Sequence, residues 1–194
     1  MTGSDDPTRV GVTGTPGTGK STATDRFRER VDAGEYAGID SGSVDVVHLN
    51  DVVQDAELYD DVDEERDSVV VDLDALAAWV DDHVGATDAS VVVLDSHLAH
   101  HLALDRVVVL RCHPETLAER LADRGEPDAK AVENAESEAL DVVLGESVDA
   151  HGTDSVYEIE TTDRTPEAVA DAIAAVVGGD REPSAGTVDY IEYL

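Results

Sequence analysis

An α/β fold, a parallel five-stranded sheet flanked by helices, is predicted by three observations. The apolar run Arg9–Val12 leads into a glycine-rich turn and then a helix-compatible stretch. The runs Val91–Leu94 and Val107–Leu110 are continuously apolar and β-branched, which suits short strands covered on both faces. Strand-like and helix-like segments alternate along the chain, the order that builds a parallel sheet. At 194 residues one domain with a sizeable core is expected, without disulfides, since Cys112 is the single cysteine.

Taken in order, residues 9–12 form the first strand, and the first helix runs from Lys20 to about Gly34. Residues 33–43 read as a loop and 44–49 as a second strand, after which Asn50 or Asp51 caps a short helix reaching about Leu58. The acidic stretch Tyr59 to Asp67 reads as a loop. Leu73, Leu76, Ala77 and Val80 recur at helical spacing and predict a helix over 72–84, with Trp79 packing at its edge. Strands ending at Asp95 and near Arg111 follow. Pro114 starts a helix to about Arg124, and the Gly125–Pro127 break precedes one long helix from about Asp128 to Ala150, with Val132, Ala135, Ala139 and Val143 on one face. A last strand covers 155–161 and a last helix 166–177. From Gly178 the tail is linker-like, although Tyr190, Ile191, Tyr193 and Leu194 can dock on the body or a partner.

The turn carries the chemistry. Gly14 to Ser21 reads G-x-x-x-x-G-K-S between strand and helix, the context a phosphate loop demands. Its glycines let backbone N–H groups turn inward with the following helix N-terminus to cradle anionic oxygens. Lys20 reaches the β- and γ-phosphates, and the Ser21 hydroxyl is a ligand for Mg²⁺. A nucleoside triphosphate is the expected occupant.

Charge separates this chain from most: 45 acidic against 13 basic residues, a net charge of −32 and two lysines, Lys20 and Lys130. Such self-repulsion is screened at molar salt, where the Debye length falls to about 3 Å, so a halophile's cytoplasm is the predicted setting. The buried-strand runs argue against disorder. Stable binding of naked nucleic acid is not expected, because that needs clustered Lys and Arg. No apolar run approaches the roughly 18 residues of a membrane span, so a soluble, cytoplasmic protein is predicted.

Three further constellations stand out. Asp95 ends a buried strand, where open α/β sheets bind ligands, and a carboxylate there holds Mg²⁺ directly or through water, or else caps the next turn. His97 follows in "LDSHLAHH" and can orient water or a substrate group, or serve structurally. His97, His100 and His101 resemble zinc ligands, but the sequence offers no matching fourth ligand. Arg120 and Arg124 lie four apart on one helical face beside the Gly125–Pro127 break, placed to clamp a phosphate or to pair with Glu119 or Asp123. Arg111 is a weaker candidate for the same task.

With these residues placed, the chain resembles the adenylate kinase isoenzyme 6 type family, small nucleoside monophosphate kinase-like proteins linked to ribosome maturation. The resemblance covers about residues 9–178 and rests on "GTPGTGKST", "ELYDDVDEERD", "LDSH", "LAERLADRG" and "AVENAESEALDVVLGES". It implies reversible transfer of the ATP γ-phosphate to AMP with Mg²⁺, intrinsic ATPase activity, and a role in maturing the small ribosomal subunit through one of its proteins. It implies that Gly17, Gly19, Lys20, Ser21 and Thr22 bind ATP and Mg²⁺, that Asp95 and His97 form the Walker B-like pair, and that Arg124 contacts ATP from a short lid over about 123–133. The monophosphate segment is then about 48–71, between a flexible 1–8 and the tail 179–194.

Two departures matter: Gln54 stands where the family pattern has arginine, leaving a residue such as Arg66 for the acceptor, and Glu126–Pro127 occupy the lid where an aromatic and a polar residue are expected. Gln54 favours an assembly ATPase with residual kinase activity, whereas the lid arginines favour a kinase. Other small phosphate-loop kinases remain a third reading. A GTPase is disfavoured, since no Asn-Lys-x-Asp signature is present.

Overall fold

The computed structural model describes residues 6–63 and 68–194. Five parallel strands, β1 (Thr8–Thr13), β2 (Val44–His48), β5 (Val91–Asp95), β6 (Arg106–Arg111) and β7 (Val156–Glu160), form one sheet in the order β2-β5-β1-β6-β7. The chain moves outward from β1 on one side through β5 and β2 and on the other through β6 and β7. The crevice beyond the C-terminal end of β1 is therefore the expected ligand site of a doubly wound sheet. Val12 and His48 both stand in register with Asp95, so three strand ends converge there.

The valine runs are strands because both faces are covered. On one face α1 (Lys20–Asp32) packs against α7 (Pro166–Gly178), and Ala23, Phe27 and Val31, at helical spacing, are buried. On the other, α2 (Leu49–Asp55) and α3 (Leu73–Ala86) bury Val53, Leu76, Val80 and Val84 over β2 and β5. Asp72 caps α3 by accepting a hydrogen bond from Ala75 N, and Trp79 stacks on His83 at its half-buried edge. Two predicted details differ for α2: it starts at Leu49, and its cap position is His48 without a side-chain cap bond, so neither Asn50 nor Asp51 caps it.

The acidic stretch is a ribbon rather than a loop. β3 (Tyr59–Asp63) pairs antiparallel with β4 (Ser68–Val71), with an irregularity between Tyr59 and Asp61. Aspartate is a poor strand former. Here Tyr59, Val69 and Val71 pack on the α2–α3 cluster and supply what the carboxylates do not. Glu64 to Asp67, with Arg66 among them, lie outside the described residues, as do residues 1–5 of the predicted N-terminal segment.

The long helix predicted from about Asp128 is two helices, α5 (Asp128–Ala139) and α6 (Val142–His151), after α4 (Pro114–Asp123). The break is at Asp141, whose φ of 55° is left-handed. Periodicity misses it because its cause lies elsewhere in the chain. The guanidinium of Arg111 donates to the Glu138 carbonyl and to the Asp141 carboxylate, taking groups a continuing helix would use or point elsewhere. Val132, expected on the inner face with Ala135 and Ala139, is instead 49% exposed.

The tail docks. Thr187 N and Oγ1 and Val188 N donate to Glu158 Oε2, and the Tyr190 hydroxyl donates to Glu160. Ile191 and Leu194 stay exposed.

Candidate active site

The loop between β1 and α1 folds as its glycines require. Gly14 has φ 141°, and a Cβ there would meet the Leu110 carbonyl at 2.5 Å, so only glycine fits. Gly19, at φ 92°, occupies the cap position of α1 and presents backbone rather than a side chain to the helix N-terminus. Lys20 Nζ lies within the loop it terminates, donating to the carbonyls of Gly14 (2.8 Å) and Thr15 (3.1 Å). Burial lowers its pKa to about 8 against the opposing charges of Asp95 and Glu138.

Buried side chains hold the loop from behind. Thr15 Oγ1 donates to Glu138 Oε2 at 2.5 Å, while Glu138 Oε1 accepts from Arg111 Nε at 2.7 Å and from Cys112 N at 3.1 Å. Arg111 Nη1 donates onward to Glu158 Oε1 at 2.6 Å, the carboxylate that the tail covers. Burial alone would lower the pKa of Arg111; Glu138 and Asp141 outweigh it and hold the guanidinium charged. Arg111 is thus no phosphate clamp. It is 1% exposed and fully engaged by carboxylates. Glu138 was invisible as a site residue, although a glutamate beside Ala135 and Ala139 on a buried helix face is the signal that could have found it.

Asp95, nearly fully buried, accepts from Thr24 Oγ1 (3.1 Å) and from His48 Nδ1 (2.8 Å), both at Oδ2. His48 Nε2 faces Asp25 Oδ1 at 3.1 Å. With both ring nitrogens directed at carboxylates, the hydrogen bond to Asp95 leads the causes that raise its pKa. Sequence reading passed over His48, which the parallel register places opposite Asp95 at the end of β2. His97 is held neutral, its pKa lowered to about 4 by burial and then by Lys20, His100 and His101.

One cleft of about 200 Å³ is shared by Gly17, Gly19, Lys20, Ser21, Thr22, His97 and Arg124. Asp95 does not line it, but its charge acts on Lys20, which does. Arg124, at the C-terminal cap of α4, is exposed and has no side-chain partner among the described residues. Arg120 does not join it: its Nη2 donates to the carbonyls of Thr161 and Thr162, and it lines an adjoining groove of about 310 Å³ with Thr22, Arg124 and Arg164. Neither arginine pairs with Glu119 or Asp123 among the described residues. The segment around 123–133 is a short turn through Gly125 into α5, braced by the Glu126–Lys130 ion pair at 3.0 Å. Gln54 is exposed on α2, outside the cleft.

The AAA domain family model matches residues 10–141. A Natronomonas pharaonis protein named "Putative adenylate kinase" is 55% identical over 186 residues, covering 96% of this chain and 99% of its own. A Halobacterium salinarum protein of the same name is 57% identical over 187 residues, with 96% and 99% covered. Among solved structures, shikimate kinase from Bacteroides thetaiotaomicron superposes with a TM-score of 0.56 over 88% of this chain and 98% of that one. At 16% identity this likeness speaks to the fold alone. Among the described residues no helix is long and apolar enough to cross a membrane.

Proposed function

This chain belongs to the family of the AAA domain and its archaeal adenylate kinase-named relatives, a nucleotide kinase on a phosphate-loop fold, and we propose that it transfers the γ-phosphate of ATP to AMP. The observation that carries this reading is one cleft lined by Lys20, Ser21, His97 and Arg124, with the Asp95 charge acting on Lys20. In this reading Gly17, Gly19 and Thr22 contribute backbone and hydroxyl donors to the triphosphate. The base and ribose lie in the adjoining groove beside Arg120, which shares Gly17, Gly19, Thr22 and Arg124 with the cleft.

Mg²⁺ fits the donors present. The Ser21 hydroxyl and the Asp95 carboxylate are hard oxygen ligands, and Asp95 engages Thr24 and His48 through Oδ2, leaving Oδ1 for the ion or its water. Bound there, the ion neutralises charge on the β- and γ-phosphates. His48 and Thr24 orient the carboxylate. Lys20 leaves its two carbonyls for phosphate oxygens, and Arg124 stabilises charge on the transferring group. His97, neutral, offers an imidazole to the acceptor phosphate or to water. Bond cleavage between the β–γ bridging oxygen and γ-phosphorus is matched by bond formation from an AMP phosphate oxygen, giving two ADP.

Residues 48–71 serve as the acceptor segment, 123–133 as the short lid and 179–194 as a docked tail. Gln54 supports a second reading, in which hydrolysis to water competes with transfer and the protein acts as an ATPase in small-subunit maturation, with a ribosomal protein and the pre-ribosomal subunit as partners. Product analysis with ATP and each nucleoside monophosphate in molar KCl tests the proposal. ADP formed in stoichiometric pairs from AMP is expected. Free phosphate at an unchanged rate with every monophosphate would replace the kinase reading by the ATPase one.

A further inference from the structure

Beside the nucleotide cleft, a cavity of about 980 Å³ separates the segment after β5 from α5 and α6. On its wall the short turn Ala99–His101 brings two imidazoles together, with ring centroids 4.0 Å apart, and α6 brings Glu146 to them. One ligand atom from each of His100, His101 and Glu146 lies within 4.8 Å of the others. The sequence pointed to His97 as the third member of this set and offered nothing from α6. The fold substitutes Glu146.

Hydrogen bonds on both sides orient His100 within this set. Thr13 Oγ1 lies 3.0 Å from His100 Nδ1 and 3.2 Å from the His97 carbonyl, and its hydroxyl can donate to either. On the other side of the ring Nε2 meets Glu146 Oε2 at 3.0 Å, through an Nε2–H proton or through a cation that replaces it.

A tetrahedral ion with ligand distances of about 2.0–2.1 Å has ligand atoms roughly 3.3 Å apart, near the 3.0 Å between His100 Nε2 and Glu146 Oε2. The Thr13 hydroxyl is the kind of outer partner that fixes the tautomer of a metal-bound imidazole. His151 Nε2 also donates to the His100 carbonyl at 2.7 Å and braces the turn.

We propose that His100, His101 and Glu146 bind one divalent transition cation of the zinc class, with the fourth position open to the cavity. Two imidazoles and one carboxylate suit such an ion better than Mg²⁺, which prefers all-oxygen octahedral surroundings. The ion ties α6 to the turn that follows His97, and the site is separate from the Ser21–Asp95 donors.

The test is calorimetric titration of the metal-stripped full chain with zinc alone in high KCl, and the visible spectrum with cobalt(II). One tight site per chain and an intense tetrahedral cobalt band are expected, both persisting with saturating MgATP and in Lys20→Ala. Glu146 and His101 are exposed, so Glu146→Gln and His101→Ala should keep the melting temperature of the metal-free protein while weakening zinc at least about tenfold each. Zinc affinity unchanged in both variants, or a weak octahedral cobalt spectrum in the wild type, would overturn the site and leave His100 and Glu146 sharing a proton.

Discussion

The phosphate loop and the described residues of the segment 48–71 are built in opposite ways. Behind the loop, Thr15, Glu138, Arg111 and Glu158 form a continuous buried chain of charge-assisted hydrogen bonds that ends under the C-terminal tail. The proposed acceptor segment, in its described residues, is a short helix and a two-stranded ribbon held by one partly buried apolar seam, with Gln54 and Val70 exposed. A loop that must present donors to developing charge gains from rigidity. A segment proposed to admit and release a second substrate fits the less stable end of the structure.

The largest expected effect breaks the buried chain. Arg111→Ala leaves Glu138 and Glu158 buried without their cation, a change typically worth about 3–5 kcal/mol. At roughly 2–4 °C per kcal/mol for a protein of this size, the melting temperature in molar KCl should fall by roughly 6–20 °C. Val70→Thr on the ribbon, at an exposed position, should stay within about 0.5 kcal/mol. Equal shifts for the two variants would erase the contrast.

Next in size is the loop's own chemistry. Lys20→Ala should lower ATP turnover by at least about two orders of magnitude, since a preorganised donor is typically worth that much. The expected fold is unchanged, which circular dichroism in the same salt checks. Near-normal turnover would end the phosphate-loop reading.

Salt separates the regions more gently. With a net charge of −32, lowering KCl from molar to about 0.1 M lengthens the Debye length from about 3 to about 10 Å and lets surface carboxylates repel. The acidic ribbon, with Asp60 and Asp61 exposed, should lose hydrogen-exchange protection before β1 and β6 do, and the melting temperature should drop. Protection lost uniformly would mean that one cooperative unit spans both regions.

The same contrast governs what was legible in the sequence. The loop, Lys20, the strands around Asp95 and the buried-strand runs announce themselves because their determinants are local: glycine spacing, β-branching and a strand end. The ribbon was hidden because aspartates make up three of the five residues of β3 and its stability comes from a seam with α2 and α3. The break at Asp141, the role of Arg111 and the presence of His48 and Glu138 at the site were hidden for another reason. Each depends on a partner from a distant strand or helix, and periodicity carries no information about which buried position receives a guanidinium.

The smallest expected effect decides which reaction dominates, and it rests on Gln54, the residue of the proposed acceptor segment that departs from the pattern of the family this chain resembles. A guanidinium binds a phosphate with charge-assisted, often bidentate hydrogen bonds, roughly twice as strong as the neutral bond an amide offers. Gln54 is exposed, so solvent screening takes part of that advantage, and about 1 kcal/mol remains. Gln54→Arg should therefore tighten AMP by about fivefold and raise the ratio of ADP formed from AMP to free phosphate released. ATP affinity should not change, because position 54 lies outside the cleft that holds Lys20 and Arg124. His97→Ala, in contrast, should depress ADP and phosphate together, since in this reading its imidazole serves whichever acceptor is attacking. One assay of wild type and both variants, counting ADP and phosphate in high salt, reads all three outcomes. If wild type already transfers to AMP at micromolar concentration without appreciable free phosphate, and Gln54→Arg changes neither product, the acceptor phosphate is gripped elsewhere in the segment. The difference between the two regions would then be one of stability alone and not of binding strength.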